Sequence, residues 1–293
     1  MDYSWVVLSL IAAFTLATSD ALTKKALASN NEYIVAWLRL VFSLPLLFII
    51  FLFIPVPELD RDFYTAFLLA LPLEVLSIVM YIKALRISPL SLTLPFLALT
   101  PVFLILVSYL ILGEKVSLLG GTGILLIASG SYTLNIRKIS KGIFEPFKAI
   151  MKEKGSILMI GVALIYSVTS SLGKMAIEHS SPLFFGITYF TALTLLFTPI
   201  ALYKGREGMG GSWGRQSLLH ALLLPGIFYS IMVVSHMVAM SLTKVAYVIS
   251  VKRISLIIGV IYGYLFFREG DIKERLFGAI LMFIGFVMIV TTS

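Results

Sequence analysis

Apolar residues recur in long blocks along the whole chain, and polar residues are concentrated in the short segments between the blocks. A helix that spans a bilayer needs about 20 mostly apolar residues. The pattern therefore predicts an all-α membrane protein with ten transmembrane helices. Their approximate positions are 4–27, 32–53, 63–85, 88–112, 117–135, 155–178, 182–203, 216–240, 243–267 and 272–291.

Most of the predicted connections are short, so neighbouring helices are expected to run antiparallel. The exception is a polar, basic stretch that separates five predicted spans from five. We predict a first five-helix repeat over 1–136, a basic connecting loop over 137–154 and a second five-helix repeat over 155–293. Because five is odd, two tandem copies enter the membrane in opposite senses and form an inverted repeat, a plan typical of transporters.

The sequence itself supports a duplication. A shift of 155 residues lays 84–130 over 239–285 without a gap, and a shift of 150 lays 22–26 over 172–176. The second alignment pairs Lys24 with Lys174. The informative identities in the first are one glutamate and two glycines, because chance leucine matches are common in apolar sequence. These pairs are Glu114 with Glu269, Gly123 with Gly278, and Gly130 with Gly285.

The composition excludes several classes of protein. Of the 293 residues 59% are hydrophobic and 13% are charged, whereas soluble domains carry about 25% charged residues. The apolar blocks leave no room for a sizeable extramembrane domain, which argues against a membrane-anchored soluble enzyme. The chain has no cysteine, so disulfides and thiolate metal sites are excluded.

Each predicted half ends with an apolar helix, a glutamate in a short turn and a final helix that contains glycine. The first turn is Leu112-Gly113-Glu114 and the second is Arg268-Glu269, where arginine replaces the glycine of the first half. This arrangement resembles the drug/metabolite transporter superfamily, in its ten-helix EamA-type branch. The resemblance covers nearly the whole chain. It implies a carrier of small metabolites and does not define the substrate.

Charged residues inside a predicted span are candidates for function, because a charge at mid-bilayer costs at least about 2.5–3.5 kcal/mol on insertion scales. Lys252 and Arg253 are the most prominent, since Lys252 lies roughly 14 Å into span nine at the rise of an α-helix. The corresponding residues of the first half are Leu97 and Ala98. We expect the pair to bind substrate; the alternative is an ion pair with a buried carboxylate.

The Lys-Arg pair also resembles the phosphate-binding pair of plastid-type sugar-phosphate translocators. Those carriers add a tyrosine from the preceding helix, for which Tyr229 is the matching residue here. They also use a lysine from span four, and span four of this chain has none. The resemblance therefore implies an anion site and does not assign a sugar phosphate. Tyr166 is a further candidate for a hydroxyl or ring contact with the substrate.

Glu74 and Arg39 are the other charges at depth. Glu74 is near the centre of span three and is predicted either to couple transport to protons or to neutralise Arg39 or Lys252. Arg39 suits bidentate binding of a carboxylate or phosphate, and the alternative is a fixed pair with Glu74. Glu74 is the one midplane carboxylate that the sequence identifies.

The remaining charges are expected nearer the rim of the cavity. Asp20 and Lys24 are one helical turn apart, so a local ion pair is predicted. Because Lys24 and Lys174 are related by the repeat, a structural or gating role at the cavity rim is expected for both. Span four carries Pro89, Pro95 and Pro101, which predicts a kinked, cavity-lining segment.

No cofactor and no metal site are predicted, because the three histidines lack metal-ligand spacing and no catalytic motif is present. The expected partners are a small-molecule substrate, membrane lipid and either a proton or a counter-substrate, without nucleic acid. The expected oligomeric state is a monomer or a homodimer.

The charge bias of the loops predicts an orientation in a cell (inner or plasma) membrane. The net charge of +8 is best explained by basic loops that set this orientation. Most of the lysines and arginines outside the spans lie on the side of 137–154. The positive-inside rule then places that loop in the cytoplasm and both termini outside.

The leading functional hypothesis is a secondary active transporter of a small polar or anionic metabolite that works by alternating access. Lys252 and Arg253 would hold the anion, with assistance from Arg39, Tyr229 and Tyr166. One alternative is a proton-coupled exporter of amino acids or amphipathic compounds. Another class of function is a channel or a lipid-active membrane protein, and an enzyme is not predicted.

Overall fold

The structure is a computed structural model that describes residues 3–27, 30–88, 94–135, 154–206, 215–267 and 272–292. These residues form eleven α-helices and one short 3-10 helix. In the first half they are α1 (Ser4–Leu27), α2 (Glu32–Phe51), α3 (Arg61–Ile87), the 3-10 helix (Leu94–Ala98), α4 (Leu99–Leu112) and α5 (Leu118–Asn135). In the second half they are α6 (Lys154–Glu178), α7 (Pro182–Arg206), α8 (Arg215–Leu242), α9 (Val245–Lys252), α10 (Ser255–Phe267) and α11 (Ile272–Val290).

The all-helical architecture agrees with the sequence prediction. Seven helical segments in the described part of the chain are long and apolar enough to cross a membrane: Ser4–Lys24, Glu32–Phe51, Arg61–Ala84, Lys154–Glu178, Pro182–Gly205, Leu218–Leu242 and Val245–Phe266. Shorter apolar helices lie at the other three predicted positions: Phe96–Leu112, Leu118–Thr133 and Phe277–Val290. The count of ten membrane crossings stays a prediction, and most of the predicted loop 137–154 lies outside the described residues.

The two halves pack against each other in pairs that follow the internal repeat. The most extensive contacts between helices join α5 to α11, α1 to α8, and α3 to α6. The fifth helices of the two halves thus pack together. The first helix of each half packs against the third helix of the other half. This exchange is what a two-fold relation between the repeats produces.

Glycines bring α5 and α11 into close contact. A Cβ atom built on Gly123 would lie 2.7 Å from the carbonyl oxygen of Gly285, and one on Gly130 would lie 2.5 Å from that of Gly278. Residues this close leave room only for glycine, as in other packed membrane helices. Gly123 meets Gly285, and Gly130, farther along α5, meets the earlier residue Gly278. The two helices are therefore antiparallel, as inverted repeats require.

The ends of several helices are fixed by local side chains and backbone conformation. The side chain of Asn31 accepts hydrogen bonds from the N–H groups of Tyr33 and Ile34 at the start of α2. Asp60 accepts one from the N–H of Phe63 at the start of α3. These caps satisfy donors that the first turn of a helix leaves unpaired. Gly113 ends α4 with a φ of 69°, a left-handed conformation that favours glycine.

The fourth helix of each half is interrupted at the same repeat position. In the first half the 3-10 helix ends at Ala98, where α4 begins. This interruption agrees with the predicted kink, although Pro89 lies outside the described residues. In the second half α9 ends at Lys252 and α10 begins at Ser255. The N–H groups of Arg253 and Ile254 donate to the carbonyls of Ser250 and Val251, both at 3.0 Å, so the chain crosses this break in tight turns.

We predict that Gly130→Ala destabilises the protein because its methyl group would collide with the backbone of α11. The expected loss is about 1–3 kcal/mol of the free energy of unfolding, the usual cost of overpacking. It would be measured as a lower Tm in detergent. Gly259→Ala is the matched control, because its Cβ would have no neighbour within 4 Å. A Gly130→Ala protein as stable as this control would contradict the close packing of α5 on α11.

Candidate functional site

The two helix breaks face each other in the interior of the bundle. The guanidinium of Arg253, in the break between α9 and α10, donates a hydrogen bond of 2.9 Å from Nη2 to Oγ1 of Thr100. Thr100 lies in the first turn of α4 and is the repeat counterpart of Ser255. Discontinuous helices that meet between inverted repeats form the substrate sites of many carriers. This junction is therefore the candidate site.

Lys252 lies in the same break and contacts α8. Its Nζ is 3.1 Å from Nε2 of His236, a residue whose surface is 7% exposed. An ammonium group has no acceptor capacity, so a charged Lys252 donates this hydrogen bond. His236 is then neutral at Nε2 and carries its proton on Nδ1. His236, on α8, is thus a direct contact of a predicted substrate residue.

Glu74 and Tyr166 belong to the same cluster as Lys252 and Arg253. Glu74, on α3, lies within electrostatic range of Lys252. Tyr166, on α6, is close enough to Arg253 and Glu74 to interact with both. The structure thus brings together four of the side chains that the sequence singled out, from α3, α6 and the break after α9.

Arg39 and Tyr229 lie together in a neighbouring group. Nη1 of Arg39 is 2.6 Å from Oδ1 of Asp20, and the guanidinium carbon lies 4.7 Å from the centroid of the Tyr229 ring. Arg39 is therefore paired with Asp20 and not with Glu74, and its contact with substrate stays a prediction. The sequence assigned Asp20 to its neighbour Lys24 and so missed a second interior carboxylate.

Tyr81 of α3 connects the two groups. It lies within electrostatic range of Asp20 and Arg39 on one side and of Arg253 on the other. The interior thus contains polar side chains from α1, α2, α3, α6, α8 and the break after α9 that lie within electrostatic range of one another. Tyr81 could not be singled out from the sequence, because one tyrosine in an apolar span looks the same as a packing residue.

The side chains of this polar set are deep in the bundle but are not sealed from solvent. Asp20 and Arg39 keep 57% and 24% of their side-chain surface accessible, and Glu74, Lys252 and Arg253 are half-buried. Charges at depth in a membrane protein face a protein interior or a water-filled cavity, not lipid. The surface that these charges expose is therefore expected to face water between the helices and not lipid.

Lys174, predicted at the cavity rim, is buried in an ion pair. Its Nζ lies 3.1 Å from Oε1 of Glu114 and donates to the carbonyl oxygen of Thr243 at 2.5 Å. Its repeat counterpart Lys24 is exposed. In the sequence Glu114 stood out only because it is repeated as Glu269. Lys174 is repeated as well, and this shared repetition was the signal that Glu114 and Lys174 could form a pair. Glu269, the counterpart of Glu114, lies outside the described residues.

A separate surface cluster lies between the start of α3 and the end of α6. Nδ1 of His179 is 2.6 Å from Oδ2 of Asp60, and Nε2 is 4.0 Å from Oδ2 of Asp62. Ligand atoms of these three residues lie within 4.8 Å of one another, which is close enough for a metal. However, Asp60 already accepts from the backbone of Phe63 and from His179, so the cluster is accounted for as a hydrogen-bonded contact between the halves.

The fold and the interior charges define a multi-pass membrane protein of the transporter class. The chain belongs to the EamA-like transporter family, whose model matches residues 3–136 and 153–291. The two matched segments confirm the resemblance to the EamA branch of the drug/metabolite transporters and its two-repeat architecture. Members of this family are transporters, in agreement with the prediction that the chain is not an enzyme.

Comparison with solved structures supports the same fold. A crystal structure described only as that of a protein has a TM-score of 0.79, with 100% of this chain and 98% of that chain covered at 14% identity. At this identity the likeness shows the fold alone. No curated protein matches the chain by sequence.

The contact between Asp60 and His179 predicts a pH dependence of stability. The backbone N–H of Phe63 and the His179 side chain lower the pKa of Asp60, and the hydrogen bond to Asp60 raises the pKa of His179. The contact therefore stabilises the fold between the two pKa values. This stabilisation is lost as the pH rises through the raised pKa of His179, and also as it falls through the lowered pKa of Asp60.

His179→Gln should therefore lower the Tm in detergent at about pH 5.5, where the imidazole of the parent is charged, and have a smaller effect at about pH 8.5. Asp62→Asn is the control, because Asp62 is 4.0 Å from the imidazole and should change the Tm less at both values. An equal effect of His179→Gln at both pH values would contradict the charged contact.

Proposed function

We propose that this protein is a secondary active transporter that carries a small polar or anionic metabolite across a cell membrane by alternating access. The observation that carries the proposal is the pair Lys252 and Arg253 at the break between α9 and α10. Within the described residues neither side chain forms an ion pair. Two adjacent cations at depth without a paired anion favour an anionic ligand.

The charge balance of the interior supports this proposal. Arg39 is neutralised by Asp20, so these two side chains contribute no net charge. Among the described residues Glu74 is the carboxylate within electrostatic range of Lys252, and no carboxylate forms a salt bridge with Lys252 or Arg253. The break between α9 and α10 thus has an excess of about one positive charge. A substrate carboxylate or phosphate would complete the balance.

Unused hydrogen-bond donors indicate where the substrate would bind. The Nε atoms of Arg39 and Arg253 are buried and have no acceptor among the described residues. A guanidinium offers donors in a fixed planar arrangement that suits two oxygens of one anion. Tyr166 would contribute a hydroxyl to the same space.

The repeat relation supports a role in substrate binding over a role in folding. The residues that both halves share are those that shape the turns and the contacts between helices, such as Glu114, Gly123 and Gly130. Lys252 and Arg253 have the apolar counterparts Leu97 and Ala98. A residue needed only to hold the repeated fold would be expected in both copies, whereas one substrate molecule needs one site.

We predict that Lys252→Gln reduces uptake of an anionic substrate into proteoliposomes. A hydrogen bond to a charged group contributes about 1.5–3 kcal/mol, so the expected effect is a KM about 10- to 100-fold higher. The assay uses labelled phosphorylated sugars, nucleotides and amino acids. The control is Lys204→Gln, since the Lys204 ammonium lies over the ring of Tyr203 at the end of α7. Parental uptake of every anion by Lys252→Gln would contradict the proposed site.

A second candidate function is a proton-coupled exporter, favoured by the position of Glu74. This carboxylate is half-buried beside Lys252, so its protonation would change the charge that the substrate meets. We predict that Glu74→Gln abolishes acceleration of flux by a pH gradient while substrate still binds. Flux and binding would be measured on the same preparation, with and without the gradient. If Glu74→Gln keeps full pH-driven flux, this second function is excluded and the first proposal is unaffected.

A further inference from the structure

Lys174 joins three segments of the chain at one end of the bundle. Its ammonium contacts Glu114 in the turn between α4 and α5, at 3.1 Å. It also donates to the carbonyl oxygen of Thr243 in the turn between α8 and α9, at 2.5 Å. The side chains of Lys174 and Glu114 are 8% and 12% exposed. One buried ion pair therefore ties α6 to two turns, one from each half.

Glu114 also holds the start of α9. The N–H of Val245 donates to Oε2 of Glu114 at 3.0 Å, and the residue before it, Lys244, makes no side-chain capping bond. A helix start needs acceptors for its free N–H groups and favours negative charge. The first half thus supplies the cap for a helix of the second half.

A second contact fixes α9 to the same turn. The hydroxyl of Tyr247 lies 3.2 Å from Oγ of Ser117, and the Tyr247 side chain is completely buried. A Cβ atom on Gly120 would lie 2.2 Å from this hydroxyl, so the ring fits only because position 120 is glycine. The residues that hold the start of α9 are Glu114, Ser117 and Gly120, and we call them the α9 contact site.

The helix α9 connects the α9 contact site to the candidate substrate site. It has eight residues from Val245 to Lys252, which gives a length of about 12 Å at 1.5 Å per residue. Residues Val245 to Val251 are all buried. A short buried helix moves as one body, so a displacement of Val245 also displaces Lys252 and Arg253.

The ion pair lies on the side of the bundle where both termini are found. In the ten-span arrangement α1 starts on the side of the termini and ends on the opposite side, whereas α6 starts on the opposite side and ends on the side of the termini. Lys24 is near the end of α1, and Lys174 is near the end of α6. Lys174 and Lys24 therefore lie at opposite ends of the bundle. The side chain of Lys174 is buried, whereas that of Lys24 is exposed.

We propose that Glu114 and Lys174 form the gate that closes the cavity on the side of the termini, and that α9 transmits the opening of this gate to the substrate-binding pair Lys252 and Arg253. This inference rests on the alternating access proposed above. When the gate opens, water replaces Glu114 around Lys174, and the cap on α9 is released. The paired arrangement is then the closed state, and opening exposes both charges to water.

The test uses the absence of native cysteine. A single reporter, Ser250→Cys, is placed in α9, where Ser250 is completely buried. Its reaction with a membrane-impermeant thiol reagent is measured from each side of the membrane in sealed vesicles. In the otherwise unchanged chain we expect slow labelling from the side of the termini. No substrate is needed, so failure of this test is distinct from failure of the anion assignment.

Glu114→Gln should raise the labelling rate from that side by about tenfold or more, as expected for loss of a buried pair. Glutamine can still accept from the N–H of Val245, so the change removes the charge and keeps the cap. Glu178→Gln is the matched control. Glu178 also faces Lys174, at 3.7 Å, but its side chain is 50% exposed, so its loss should leave the rate unchanged.

A double-mutant cycle separates a gate from general loosening. Because Glu114 and Lys174 act as one pair, Glu114→Gln combined with Lys174→Gln should label no faster than the faster of the two single variants. Rates that multiply, or parental labelling in Glu114→Gln, would overturn the proposal. If Glu114→Gln fails to fold, Glu114→Asp keeps the charge with a shorter reach. It should then label faster than the parent, and a parental rate would overturn the gate.

Discussion

A charged side chain in the interior of a membrane protein must be paired or must face water, because hydrocarbon solvates neither charge nor open hydrogen bonds. The described interior of this protein meets that constraint in two ways. Asp20 with Arg39 and Glu114 with Lys174 are paired across different helices. Lys252 and Arg253 are not ion-paired and share an accessible space. The distinction separates charges that hold helices together from charges that remain available to a ligand.

The repeated architecture explains why the second kind of charge has one location. Duplication produced two broken fourth helices, and the contact between Arg253 and Thr100 shows that the breaks meet. The two-fold relation is kept where backbones pack, as at Gly123 with Gly285 and Gly130 with Gly278. It is abandoned at the breaks, where one copy is cationic and the other is apolar. A symmetric frame thus encloses an asymmetric site.

Much of the fold could be predicted from the sequence, because hydrophobic blocks of about 20 residues and a repeated Glu and Gly pattern are strong local signals. The interior contacts were less predictable. Asp20 was matched with a neighbour one turn away, whereas its partner Arg39 comes from the next helix. Pairing across helices depends on how helices rotate and pack, which hydropathy does not encode. Thr100 and Tyr81 were missed for a related reason, since neither residue type is unusual within a span.

An alternating-access carrier moves its solute with a conformational cycle and not through an open pore. Counterflow distinguishes the two: vesicles are loaded with an unlabelled metabolite anion, and entry of the labelled anion is followed. A carrier with alternating access predicts a transient internal concentration of label above the external one, because outward exchange drives inward movement. Simple equilibration, unaffected by the anion inside, would contradict the account and indicate a channel.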